Sequence, residues 1–336
     1  MISVDLDRIF RVIRDRRPAS VSLNGPDGML PQVQDAAERI AAEFGIPAYV
    51  MADTTWGTCD LNSNGARTLG AEIHFNIGHT INSETIPGSE NTILIDAFDD
   101  VSFDAVASKC AEKLRGMTAS LVTDSQHLPQ LGRVKEILEE GGVSVVIGGG
   151  SGQLNDGQVF GCEFYPAREA AADGAADAHV FLGQSNFHAA GIALATGLPT
   201  YVLDPYFGEV REVSEFAQKL RRRATLAVYK AAEARTFGVI VGLKEGQLSK
   251  TFALKIKREL EGEGRKVHLF AMTDITNERL ANIRGVDAFV QVACPRISTD
   301  NKFDRPVLST PQARMLLRII RGGQADENYM QVPHWL

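Results

Sequence analysis

The sequence predicts an α/β protein of three similar domains, each a mostly parallel sheet flanked by helices. Three observations carry that prediction. Short β-branched runs alternate along the chain with amphipathic stretches of helical period, the pattern of parallel α/β layers. The runs fall into three groups of four, and 336 residues divided by three gives a common single-domain length. A related segment recurs in each group, at 70–78, 174–183 and 285–293, where a glycine helix stop leads through an acidic turn into a buried strand.

The first group of strand candidates is 19–23, 47–52, 72–77 and 92–95. The second is 120–123, 143–147, 179–182 and 200–203, and the third 237–243, 267–271, 288–292 and 306–308. Helical patterns lie between them, as at 131–140 and 252–261. Gly45, Gly141-Gly142 and Gly262/Gly264 close several of these units. The expected domains are 1–101, 102–209 and 210–336.

At 44% hydrophobic and 23% charged, the chain has ample apolar surface for buried cores. A net charge of -7 argues against direct nucleic-acid binding, which normally shows a basic surplus. The Arg221-Arg222-Arg223 run is expected to be a solvated helix face. No window approaches the ~18 apolar residues of a membrane span. The start of the chain carries an early Asp5 and lacks the basic and apolar stretches of a signal peptide. A cytoplasmic protein with reduced thiols and no membrane partner is the expectation.

Four cysteines are too few for a disulfide framework, and no Cys-x-x-Cys pair marks a structural zinc. Cys110 falls on an apolar helical stripe with Phe103, Val106 and Leu114, where a thiol behaves as a small buried hydrophobe. Cys59, Cys162 and Cys294 instead lie in polar, glycine-flanked or proline-led loops, one per domain: Cys59 follows the strand ending near Ala52, Cys162 follows the strand ending at Ile147 across a glycine-rich loop, and Cys294 comes directly after Val292. In open parallel sheets ligands bind beyond the carboxyl ends of the strands. Three domains packed around a common centre bring these thiols together, although more than a hundred residues separate each from the next. Three thiolates on a 4Fe–4S cube leave one iron open for a substrate, so the trio reads as catalytic rather than structural.

The segments Trp56-Gly57-Thr58-Cys59-Asp60, Gly157-Gln158-Val159-Phe160-Gly161-Cys162 and Ala293-Cys294-Pro295-Arg296-Ile297 resemble the three cysteine motifs of archaeal diphthamide-biosynthesis radical enzymes. Further matches are His74-Phe75, Gly78-His79-Thr80 and the stretch 237–242, so the resemblance runs in order along nearly the whole chain. The family often has Tyr and Ala where this chain has Trp56 and Thr58, which leaves every ligand intact.

The resemblance implies a homodimer of three-domain subunits, each holding one 4Fe–4S cluster on Cys59, Cys162 and Cys294. It implies that the 3-amino-3-carboxypropyl group of S-adenosylmethionine, the substrate, passes to imidazole C2 of a histidine on translation elongation factor 2. Cleavage toward the methionine side chain leaves methylthioadenosine, and an electron donor of unspecified identity is needed. His79, Gln158, Ser185 and His188, at or after strand ends, are candidates to contact the amino-acid half of S-adenosylmethionine, with a buried structural histidine as the plainer reading. The loop 148–152 is rich in glycine but lacks the Gly-Lys-Ser/Thr ending of a phosphate loop, so it reads either as a lid or as a plain turn. Two alternatives stand beside this. One is a dehydratase or condensing enzyme of the quinolinate-synthase kind, which uses its open iron as a Lewis acid on a small substrate. The other is a non-enzymatic scaffold with incidental cysteines.

Overall fold

The computed structural model describes residues 2–83, 85–86 and 89–335. Its first part holds strands β1 (Ile2–Val4), β2 (Val21–Asn24), β3 (Ala48–Val50), β4 (Ile73–Ile77), β5 (Thr85–Ile86), β6 (Ser89–Ile95) and β7 (Ala97–Asp99). The middle part holds β8 (Thr118–Thr123), β9 (Ser144–Val146), β10 (Ala178–Leu182), β11 (Thr200–Asp204) and β12 (Glu209–Glu212). The last part holds β13 (Thr236–Gly242), β14 (Lys266–Met272), β15 (Ala288–Gln291) and β16 (Val307–Leu308). Each expected strand run is present, with ends shifted by a few residues.

The sheets are ordered β3-β2-β4-β6-β5, β12-β11-β10-β8-β9 and β14-β13-β15-β16. Numbered within each group, the four parallel strands run second–first–third–fourth in all three sheets. The recurrent sequence segment is the third strand each time, β4, β10 and β15. That common winding is what three α/β repeats should show. The winding direction reverses between first and third strands, which opens a crevice at their carboxyl ends.

The third strands are buried along their whole length because helices cover both faces, so they read as apolar runs rather than alternations. Four strands were not expected from the sequence: β1, β5, β7 and β12. All are antiparallel additions, β1 with β7, β5 with β6 and β12 with β11. β12 spans residues 209–212 and pairs into the middle sheet, across the expected boundary at 209/210.

The first part has its own core around Leu23, Val33, Ile40, Phe75 and Ile95. A second core is continuous between the middle and last sheets and includes Phe164, Phe181, Phe237, Val290, Leu316 and Trp335. The chain's last residues therefore return to the middle sheet. Trp335 is buried against Phe164 with ring centroids 5.2 Å apart, and its indole N–H donates to Met330 O at 2.8 Å. Of the arginine run, Arg222 is exposed, whereas Arg223 donates to Thr299 O from the helix Ser214–Ala232. Among the described residues no helix is long and apolar enough to cross a membrane.

Candidate metal centre

Cys59 lies in the loop after β3, in a turn closed by Asp60 N–H donating to Gly57 O at 2.9 Å. Cys162 lies in the long loop after β9. Cys294 follows β15 and is the N-cap of the short helix Pro295–Asp300. Two of the three thus follow second strands and one follows a third strand. The repeats share a winding but do not contribute equivalent cysteines.

Cross-links between the parts hold these loops together. From the last sheet, Lys244 Nζ pairs with Asp60 Oδ2 at 2.5 Å and Gly246 N–H donates to Cys59 O at 3.1 Å. Glu245 Oε1 accepts from Ser63 Oγ at 2.9 Å and from Asn64 N–H at 3.3 Å. Arg296, two residues past Cys294 and only 3% exposed, donates to Gly161 O at 3.1 Å and Phe187 O at 2.6 Å. Its other edge faces Asp300, with Nη2 3.0 Å from a carboxylate oxygen. Between first and middle parts, Ser125 Oγ donates to Gly78 O at 3.0 Å and Gln158 Nε2 to Thr80 O at 2.8 Å. The C-terminal segment adds Trp335 N–H donating to Cys162 O at 3.0 Å and Phe164 N–H donating to Pro333 O at 2.8 Å.

The thiols feel one another. Burial, then the charges of Cys294, Cys59 and Glu163, push the Cys162 thiol well above its usual range, with Arg296 opposing. Cys294 is pushed up to about 11 by burial and by Cys59, against the backbone N–H groups of Arg296 and Ile297. Burial raises Cys59, and a hydrogen bond from Gln247 opposes it. All three side chains are half-buried and none is in a disulfide. Such a group is costly as bare thiolates, and a positively charged centre is what would hold it deprotonated.

Among the described residues no three His, Cys, Asp or Glu side chains are spaced to grip a single metal ion. A mononuclear tetrahedral site sets its sulfurs roughly 4 Å apart, from Zn–S bonds of about 2.3 Å. A cube that gives each thiolate its own iron spreads them further. Three free thiols are donors of the kind that hold iron–sulfur clusters, and Cys59, Cys162 and Cys294 form the candidate set. Cys110 is apart from it, fully buried in the helix Asp104–Leu114.

The other sequence candidates fall into two kinds. Gln158 is buried and braces its loop, its Oε1 accepting from Asn155 N–H and Nδ2 at 3.0 and 2.7 Å. Ser185 is exposed and caps the helix Asn186–Thr196, accepting from Phe187 N–H at 3.0 Å. His79 and His188 are different: both are half-buried, and the Nδ1 of each is shielded and without a hydrogen-bond partner. Burial, with the neighbouring His188, pushes His79 down to about 4. Burial lowers His188, with Asp124 opposing and Arg296 adding to it. His188 stacks on Phe181 with centroids 5.6 Å apart. Both rings are neutral at pH 7.

The glycine loop is a pinned turn: Gly157 N–H donates to Gly148 O at 2.9 Å and Gly150 N–H to Asp156 Oδ1 at 2.7 Å. Sequence reasoning missed Lys244, Gln247 and Trp335, and gave Arg296 no role. The signal available for the first two was their place, just beyond the first strand of the last sheet at its winding reversal.

The chain resembles known proteins over most of its length. A family model described as "Putative diphthamide synthesis protein" matches residues 25–329. The 2-(3-amino-3-carboxypropyl)histidine synthase of Pyrococcus horikoshii is 30% identical over 91% of this chain and 88% of its own length. A relative from Gibberella zeae, named as subunit 1 of that synthase, is 29% identical over 88% of this chain and 64% of its own. A crystal structure of Dph2 from Pyrococcus horikoshii with a 4Fe–4S cluster superposes with a TM-score of 0.82 at 28% identity, covering 95% of this chain and 92% of that one. With a shared fold and a family match across most of its length, this chain belongs to the diphthamide synthesis protein family.

Proposed function

We propose that this chain is a 2-(3-amino-3-carboxypropyl)histidine synthase that holds one 4Fe–4S cluster per subunit on Cys59, Cys162 and Cys294. Its substrates are S-adenosylmethionine and one histidine of translation elongation factor 2. The observation that carries the reading is the meeting of exactly those cysteines that lie in polar loops, from three separate sheets, while Cys110 stays in a core. The name and cluster of the relatives support it.

The overall exchange balances without net oxidation. The sulfonium loses its bond to the 3-amino-3-carboxypropyl carbon, that carbon bonds to imidazole C2, and the C2 proton leaves with methylthioadenosine as co-product. Neutral imidazole C2 is a poor nucleophile, which favours a radical route started by a reductant. When bound, a cluster with one iron free of protein ligands supplies the coordination position and the electron for that route. The chain's own part is positioning and shielding. His79 and His188, neutral and with free ring nitrogens, are the best placed of the candidates to hydrogen-bond the amino-acid half of S-adenosylmethionine. Gln158 and Ser185 fix the loops around them. A protein substrate, rather than a free peptide, suits a site that must hold an imidazole within bonding reach. A homodimer working in the cytoplasm, where thiols stay reduced, completes the proposal.

The deciding experiment is an anaerobic reaction of reconstituted protein, dithionite, S-adenosylmethionine and elongation factor 2. Methylthioadenosine and a modified histidine are expected by chromatography and mass spectrometry. If 5′-deoxyadenosine and methionine are the main products, the proposed bond cleavage is wrong.

A further inference from the structure

We infer that Gln247 is a positioning residue of the metal centre, donating a side-chain N–H to the Cys59 sulfur and thereby raising the reduction potential of the cluster bound there. The inference rests on the cluster assignment above.

Gln247 Nε2 lies 3.5 Å from Cys59 Sγ, within reach for a hydrogen bond to sulfur, across 188 residues of sequence. Among the described residues no other side chain donates to any of the three sulfurs. Cys294, the N-cap of its helix, receives no side-chain capping bond, and its neighbour Arg296 is turned to Gly161 O, Phe187 O and Asp300. Gln247 is 6% exposed, so water cannot readily replace its amide.

The segment that delivers this amide is tightly held. Gln247 N–H donates to Lys244 O at 3.0 Å, and Gly246 N–H to Cys59 O at 3.1 Å. The Lys244–Asp60 pair beside it has side chains only 12% and 8% exposed. A Cβ on Gly246 would stand 2.5 Å from Cys59 Cα, so only glycine lets the two backbones lie this close. A segment anchored so firmly holds Gln247 against the Cys59 loop, where its side-chain N–H reaches the sulfur.

The effect on the cluster follows from charge. Reduction places an extra electron on the iron and sulfur atoms, and a donated N–H stabilises the more negative form more strongly. Hydrogen bonds to sulfur are among the levers that set cluster potentials. A neutral amide does this without adding net charge. If Gln247 only filled space between loops, its replacement would alter stability and leave the potential unchanged.

The test compares wild type with Gln247→Leu and Gln247→Glu, reconstituted anaerobically and assayed for iron and sulfide. Each is then titrated with dithionite and followed by electron paramagnetic resonance. At the wild-type midpoint, the leucine variant should show a reduced-to-oxidised ratio lower by about tenfold, which is about 59 mV for a one-electron couple. The glutamate variant, similar in shape but anionic and without the donor, should shift further in the same direction. Should leucine cost the protein its cluster, Gln247→Met, neutral, of similar length and without a donor, supplies the midpoint. Unchanged midpoints at full iron content would overturn the role of Gln247. A wild-type protein that takes up no iron would instead overturn the assignment beneath it.

Discussion

Cys110 and Cys294 lie on the same kind of α/β framework and meet opposite surroundings. Cys110 is fully buried on its helix beside Val106, Ala107, Ala111 and Leu114, and burial pushes its thiol up to about 12. Cys294 is half-buried at a strand end and is pushed up to about 11. The directions match, and burial is the largest cause in both; the lesser causes differ. Apart from the burial, the cause acting on Cys110 is the charge of Lys113 on the same helix, a lesser influence that opposes it. Cys294 feels a second thiol, two backbone amides and a buried guanidinium. A raised thiol therefore says little about function by itself. What separates the two is whether other thiols share the space and whether donors are aimed at the sulfur.

The largest expected effect tests that separation directly. Changing Cys59, Cys162 or Cys294 to Ala removes one of three sulfurs from a set with no fourth to replace it, and each should lose most of its iron and sulfide. Cys110→Ala should load fully. Iron and sulfide assays after identical reconstitution decide it, and a loss confined to Cys110→Ala would reverse the assignment.

A smaller effect is expected from the residue that ties two of the cysteine loops together. Arg296→Met leaves Gly161 O, Phe187 O and the Asp300 carboxylate without their cation in a buried place. Breaking one side of a buried pair of this kind costs about 3 kcal/mol, to be read from the denaturant midpoint of the apoprotein. Lys at 296 should recover little, because an ammonium cannot reach two carbonyls and a carboxylate from one plane. The comparison sharpens if cluster content falls as well, since Cys162 then depends on Arg296 for its position. Stability indistinguishable from wild type would remove Arg296 from the account.

How much of this was legible in the sequence depends on distance along the chain. The parallel strands were readable because burial on both faces writes them as continuous apolar runs, such as Ala178–Leu182. The Cys110 helix was readable because its stripe repeats at helical spacing. The antiparallel strands were not: Ile2–Val4 is three residues long, and Glu209–Glu212 is charged at both ends and forms an edge. The candidate ligands stood out by their glycine and proline neighbours. Their convergence came only with the packing of three sheets and the family resemblance. Gln247 offered only its place beyond a strand end, because a single buried amide 188 residues from its partner has no periodicity and no spacing to betray the contact.

The smallest effect concerns Cys110 alone and completes the contrast from the other side. Cys110→Ala removes one heavy atom from a closed core, which should cost about 1 kcal/mol near neutral pH. Its more specific mark is pH dependence. The folded thiol titrates near 12 and the unfolded one near 9.0, so the folded state holds this proton more tightly. Its contribution is full below pH 9.0 and is lost as pH rises toward about 12. Between those limits one proton separates the two states, and the folding constant falls roughly tenfold per pH unit on that account. Lysines and tyrosines titrate over the same range, but they are common to both proteins, so the difference between wild type and Cys110→Ala isolates the thiol. The two stability profiles, measured without iron from pH 8 to pH 10.5, should converge as pH rises, meet roughly half a unit above pH 9.0 and then cross, because the wild type loses about 2 kcal/mol over this range against an initial advantage of about 1 kcal/mol. Parallel curves would mean that the Cys110 thiol ionises as easily in the folded protein as in the unfolded chain, and that its burial does not keep charge out of the core.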